Sequence, residues 1–214
     1  MRNKIKIGIL ALVIMFVIVF FSPKYNNNIT GKDVYTKVEI LNVVPSNCNF
    51  TLYEGWNYVS FHCISSSLPI TDVLSNINGS YSKVFTYNSF DTTDPWKSYN
   101  PELPNWVVQD LKYMGRTSGY IILLKNDTQY FYEGYKRSSI IQLNTQWNLI
   151  GYPLNYTSNI TDFLAGINYN EVLTYENNTL LFYIPNATNN TLLYFYPNKA
   201  YWIKSSAIQN IIVN

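Results

Sequence analysis

Few residues in this chain have the type and spacing to do chemistry. Cys48 and Cys63 are its two cysteines, and an even count in an exported domain reads as one disulfide. Such a bond would staple the segment before Cys48 to the stretch that carries Cys63; the plainer alternative is two buried free thiols. His62 is the sole histidine. A general base needs a nucleophile and an orienting partner, and a metal site needs several ligands. Neither set accompanies His62, which reads as a packed or capping side chain. The 13 Asp and Glu residues are scattered, so a hydrolase would have to assemble its carboxylate pair by folding. Asp72 and Asp162 fit helix starts better. No Gly-rich phosphate loop ending in Lys occurs. The sequence therefore predicts no catalytic, cofactor-binding or metal-binding residue.

Two further groups could act by contact. Nine Asn-x-Ser/Thr triplets begin at Asn28, Asn49, Asn78, Asn126, Asn155, Asn159, Asn177, Asn186 and Asn189. They fall mostly between the expected strands, where an exported chain can accept N-linked sugar. Asn and Thr are also ordinary turn residues, and both readings stand. Trp96 and Trp106 lie in a Pro-rich stretch with Pro95, Pro101 and Pro104. Exposed there, they would form a flat platform for a sugar ring or an apolar partner; the alternative is a loop that folds over its own aromatics.

These residues need elements to place them. Arg2, Lys4 and Lys6 precede Ile7 to Phe21, an uncharged apolar run closed by Ser22-Pro23. Counted from Ile5, a helix here rises about 25 Å, short for a span but long for a signal core. Phe20, Phe21, Ser22 and Pro23 offer no small-residue cleavage pair, so the run reads as an uncleaved signal anchor. The basic flank keeps residue 1 in the cytoplasm and the remainder outside. Residues 24–35 are polar and unpatterned, a tether. Val38 to Val44 reads as a strand that Pro45 ends.

Three of the 15 basic residues precede the leader, leaving 12 against 13 acidic side chains. That near-neutral remainder has no basic stripe, which argues against nucleic acid as a partner. With Tyr occurring 20 times and 17 % aromatic residues, the composition is that of a folded core, not a disordered chain.

The remainder looks duplicated. Gly55-Trp56-Asn57-Tyr58-Val59-Ser60-Phe61 matches Gln146-Trp147-Asn148-Leu149-Ile150-Gly151-Tyr152. In order after them, Ile70 to Leu74 meets Ile160 to Leu164, and Val84 to Tyr87 meets Val172 to Tyr175. Gly119 to Ile122 then meets Ala200 to Ile203, and Tyr130 to Tyr132 meets Ile211 to Val213. The first copy carries about ten extra residues, chiefly a loop from Asp91 to Trp106. Each copy should open on a strand and continue into a short helix at Thr71 or Thr161, with that Thr as cap, before further strands. In the opening strand Val59, Phe61 and Cys63 share one face, and Trp56, Tyr58 and His62 the other. Both faces are apolar, which predicts a central strand. Trp56, Trp147 and Trp202, at repeat positions, are expected in the core.

Residues 52–214 resemble the Gly-Trp-Asn repeat of secreted and cell-surface proteins in archaea and some bacteria. Gly55, Trp56, Asn57 and Ser60 carry the match in one copy, and Trp147, Asn148 and Gly151 in the other. Gln146 departs from the expected Gly, and Gly119-Tyr120-Ile121-Ile122 lacks the Trp that Ala200-Tyr201-Trp202-Ile203 keeps. The resemblance implies location more than activity and supplies no catalytic residues.

The expected fold is α+β and β-dominated: an N-terminal transmembrane helix, then two homologous β-rich lobes with a short helix each. Its divisions are a cytoplasmic flank and anchor (1–23), a tether (24–35), a first lobe (36–134) and a second lobe (135–214). The expected function is that of a non-enzymatic, membrane-anchored cell-surface protein with a structural, adhesion or assembly role. The alternative is an extracellular carbohydrate-binding module using exposed aromatics. Expected partners are the membrane, through Ile7 to Phe21, and an envelope protein or polysaccharide, without a cofactor.

Overall fold

The Asn of each Trp-Asn pair locks a turn. Asn57 Oδ1 accepts from the Tyr53 N–H at 3.0 Å, and its Nδ2 donates to the carbonyls of Tyr53 and Gly55 at 2.6 and 3.0 Å. Asn148 does the same with Asn144 and Gln146, at 2.8, 2.8 and 2.9 Å. The side-chain amide stands in for the next backbone unit of a sheet, and so fixes where the chain reverses. The turn needs a positive φ, supplied by Gly55 at 90° and by Gln146 at 71°.

The computed structural model describes residues 44–64, 67–104 and 106–213. The apolar run, the tether, residues 38–43 and Asn28 lie outside the described residues. Among the described residues no helix is long and apolar enough to cross a membrane.

The first half runs β1 (Val44–Leu52), β2 (Gly55–Val59), β3 (Leu68–Pro69), α1 (Ile70–Val73), β4 (Tyr81–Tyr87), β5 (Trp96–Tyr99), β6 (Tyr113–Met114), β7 (Tyr120–Leu124) and β8 (Thr128–Lys136). The second repeats that order: β9 (Ser139–Leu143), β10 (Gln146–Gly151), β11 (Ser158–Asn159), α2 (Ile160–Phe163), β12 (Tyr169–Glu176), β13 (Thr179–Tyr183), β14 (Tyr194–Phe195), β15 (Ala200–Ser205) and β16 (Gln209–Val213). A four-stranded antiparallel sheet β2-β7-β4-β5 recurs as β10-β15-β12-β13. The pairs β1-β8 and β3-β6 recur as β9-β16 and β11-β14. Over the described residues the fold is β-dominated with few, short helices.

Each half buries its own core. In the first, the Phe61 ring lies 4.8 Å from that of Tyr130, whose hydroxyl donates to the Val73 carbonyl at 2.9 Å and so ties α1 to β8. In the second, Phe195 sits between Tyr152 at 5.4 Å and Tyr201 at 4.5 Å. Removing one such buried ring typically costs about 3–5 kcal/mol. Equivalent tyrosines lock the same loop: Tyr120 accepts from the Gly115 N–H at 2.6 Å and Tyr201 from the Tyr196 N–H at 2.7 Å. Burial pushes the Tyr120 phenol up to about 12.

Cys48 on β1 and Cys63 after β2 form a disulfide, with Cα atoms 5.5 Å apart. Closing that loop stabilises the fold by about 3 kcal/mol on the chain-entropy account. Gly134 on β8 passes so close to Cys63 that a Cβ there would overlap its carbonyl.

Several expectations need correction. The strand does not end at Pro45, which is the second residue of β1, opposite Tyr135. Proline is tolerated because β1 belongs to a two-stranded pair and has a free edge. β2 is an edge strand of its sheet, not a central one. The helices are not capped by Thr: Asn159 caps α2 by accepting from the Thr161 N–H, while Pro69 at the start of α1 makes no side-chain cap.

Candidate ligand face and interior polar groups

The halves meet about a local two-fold relationship. Val59 bridges Lys199, and Ile150, its counterpart, bridges Ser118, the counterpart of Lys199. The Ser60 N–H donates to the Asn198 carbonyl at 3.0 Å, and the Gly151 N–H to the Thr117 carbonyl at 2.9 Å. Backbone pairing of this kind is self-complementary, as in a two-fold dimer interface. It also satisfies an edge that β2 and β10 would otherwise leave open.

Strand alternation sets what each sheet presents. Val59 and Ile122 point into the first core, so Trp56, Tyr58, Ile121 and Phe85 take the opposite face. The repeat tryptophans are therefore not core residues: Trp56 is 52 % exposed, and Trp147 and Trp202 are half-buried. Asn57 and Asn148, at adjacent positions, point the other way to hold their turns. The tryptophans lie against other aromatics outside the core. Trp56 packs on Phe85 at 6.0 Å; Trp202 packs on Tyr87, Trp96 and Trp147 at 5.2, 5.8 and 6.4 Å. Tyr58 stacks on Tyr175 across the two halves at 5.3 Å. Lys204 lies 5.6 Å over the Trp147 ring.

This face contains a cleft of about 590 Å³. The first sheet supplies Trp56, Tyr58, Phe85, Ile121 and Trp96; the second supplies Tyr175 and the hairpin residues Asn177 and Asn178. Planar apolar walls with amides at one end, and no charged side chain in the lining, suit a neutral polyol or a polar-edged apolar group.

Trp96 and Trp106 are not brought together. Trp96 belongs to strand β5, whose counterpart β13 exists in the second half, so the insertion is not one continuous loop from Asp91 to Trp106. Trp106, 82 % exposed, stands outside the cleft lining.

Of the Asn-x-Ser/Thr asparagines, Asn49, Asn78, Asn126, Asn155, Asn177, Asn186 and Asn189 are exposed. Asn159 is half-buried, with its side chain engaged as the α2 cap.

His62 is buried with Nδ1 3.1 Å from Ser46 Oγ. Burial, followed by the positive charge of Arg116, holds its pKa down to about 4. Arg116 itself is 5 % exposed. Its Nη groups donate to the carbonyls of Arg137 and Pro153, and its Nε has no partner among the described residues. Burial pulls its pKa down. It lines a second, more polar cavity of about 820 Å³ together with Ser89, Ser118 and Asn148. The sequence offered no signal for Arg116, because its counterpart is Pro197 and its burial arises only where the halves meet.

Asp91 and Asp94 both pair with Lys97, at 2.8 and 3.1 Å, and turn N–H groups occupy Asp91 further. The Lys97 ammonium, first, and those N–H groups hold Asp91 well below the usual carboxylate range. Among the described residues no three His, Cys, Asp or Glu side chains gather as metal ligands.

Comparison with known proteins finds no family model that matches this chain, and no significant match among curated proteins or solved structures.

Proposed function

We propose that this chain is a membrane-anchored protein of the cell surface, its N-terminus cytoplasmic and its β-rich part outside, with a non-enzymatic structural, adhesion or assembly role. The observation that carries the reading is the reciprocal backbone pairing of Val59 with Lys199 and Ile150 with Ser118. It joins the halves into one block whose aromatic side stays open to contact. The charged anchor flank, the Cys48–Cys63 bond and the exposed Asn-x-Ser/Thr asparagines fit an oxidising, extracellular setting. The chain so read consists of the anchor, the tether and two homologous lobes.

A second reading, carbohydrate binding, is favoured by one observation: the uncharged aromatic cleft that contains Trp56 and Trp96. Trp106, outside the cleft, drops from that platform.

Crosslinking on intact cells, followed by mass spectrometry, tests the first reading. Capture of one defined envelope protein supports assembly. Without such capture, polysaccharide titration of tryptophan fluorescence becomes decisive: a response lost in Trp56→Ala and Trp96→Ala, with the fold retained, would replace the first reading by the second.

A further inference from the structure

Asn177 opens one Asn-x-Ser/Thr triplet, Asn177-Asn178-Thr179, and also lines the aromatic cleft. The two facts share a structural cause. Tyr175 is the penultimate residue of β12 and Asn177 opens the turn that follows it, and both line the cleft. The tight hairpin that follows, with φ of 50° at Asn177 and 59° at Asn178, holds both amides at the cleft mouth. Asn126, in the turn between β7 and β8, is a useful contrast. Its Nδ2 donates to Thr128 Oγ1 of its own triplet at 3.2 Å, and it lines neither cavity.

We propose that Asn177 carries an N-linked saccharide whose first rings lie in the cleft against Tyr175, Trp56 and Trp96. This rests on the surface-protein reading, since attachment requires export. In the attachment step Asn177 Nδ2 bonds to the anomeric carbon of a lipid-linked saccharide phosphate. The anomeric C–O bond to phosphate breaks, the phosphate leaves with that electron pair, and the amide loses one proton. The attached sugar presents its apolar ring face to the aromatic planes and its hydroxyls to the Asn178 amide and solvent. The saccharide is thus an internal part of the surface, covering apolar rings that would otherwise face water. Tethering makes occupancy intramolecular, so weak stacking suffices to hold it in place.

The test uses the full chain displayed by a host that N-glycosylates exported proteins, with peptide mass spectrometry at every triplet. Thr179→Ala removes the attachment signal and keeps both turn asparagines, losing only the long hydrogen bond of 3.5 Å from the Thr179 hydroxyl to the Asn177 carbonyl; Asn126→Gln is the control. The expected result is sugar at Asn177, with a red shift of tryptophan emission and stronger acrylamide quenching in Thr179→Ala but not in Asn126→Gln. Tyr175→Ala should give the same rise in quenching while sugar remains at Asn177. Sugar on other asparagines but not on Asn177 overturns the proposal and leaves the surface reading standing. Occupied Asn177 with unchanged quenching in Thr179→Ala overturns the cleft placement. Quenching of the glycosylated chain by added polysaccharide shows a cleft open to outside ligand and overturns it too. Export failure, with no triplet occupied and the β-rich part inaccessible on intact cells, removes both readings together.

Discussion

A Cβ placed on Gly151 would lie 2.8 Å from the Cβ of Ser60. These are equivalent positions of the two halves and face each other across the local two-fold relationship, and a side chain at 151 would also meet the carbonyls of Ser118 and Arg116, 2.5 and 2.9 Å from that Cβ. The Ser60 hydroxyl lies 2.8 Å from the Lys199 carbonyl and 3.3 Å from that of Tyr152. The Ser/Gly alternation at this position thus reports how the halves dock.

Gly151→Ser should therefore destabilise the protein by about 1–3 kcal/mol, as overpacked sites do. Ser60→Gly should lose the hydroxyl's hydrogen bonding, about 1 kcal/mol. The exchange Ser60→Gly with Gly151→Ser should be more stable than the sum of the single changes predicts, but by only part of the Gly151→Ser cost, since it relieves the Cβ–Cβ contact and not the crowding from the Ser118 and Arg116 carbonyls. Denaturant unfolding of the four proteins measures this, and strict additivity would contradict the docking account.

Gln146 holds φ 71°, where its counterpart is Gly55. Gln146→Gly should raise stability by about 1 kcal/mol, because the left-handed conformation costs an L side chain about that much. In a domain of this size that is a rise of about 2–4 °C in Tm. A fall in Tm would show that the Gln146 side chain contributes more than its backbone conformation costs.

His62 binds its proton more weakly when folded, near pH 4, than when unfolded, near 6.5. The unfolded chain therefore holds more protons between those values, and stability rises with pH through that window. The stability present above about pH 6.5 should be lost as pH falls towards 4, by about 3 kcal/mol from this group. His62→Gln should flatten that part of the profile; Arg116 is the charged group that faces His62, and its guanidinium does not titrate there.

What could be read before folding follows from how local each cause is. The match of Asn57 with Asn148 was legible because both act within four residues, on Tyr53 and Asn144. Cys48 and Cys63 had one pairing open to them. By contrast, Trp56 sits on a strand with two apolar faces, and only the opposite sheet partner decides which face is core. Trp96 was hidden as a strand residue because Pro95 precedes it and three prolines punctuate the stretch. Thr161 reads as well as Asn159 for a cap, and one residue of backbone geometry separates them. The cleft and Arg116 depend on how the halves dock, and no periodicity encodes that.

The proposed topology puts everything from Lys24 onward outside the cell. An epitope placed after Asn214 should be labelled by antibody on intact cells, and protease added outside should remove the β-rich part. Labelling that appears only after the membrane is permeabilised would contradict it.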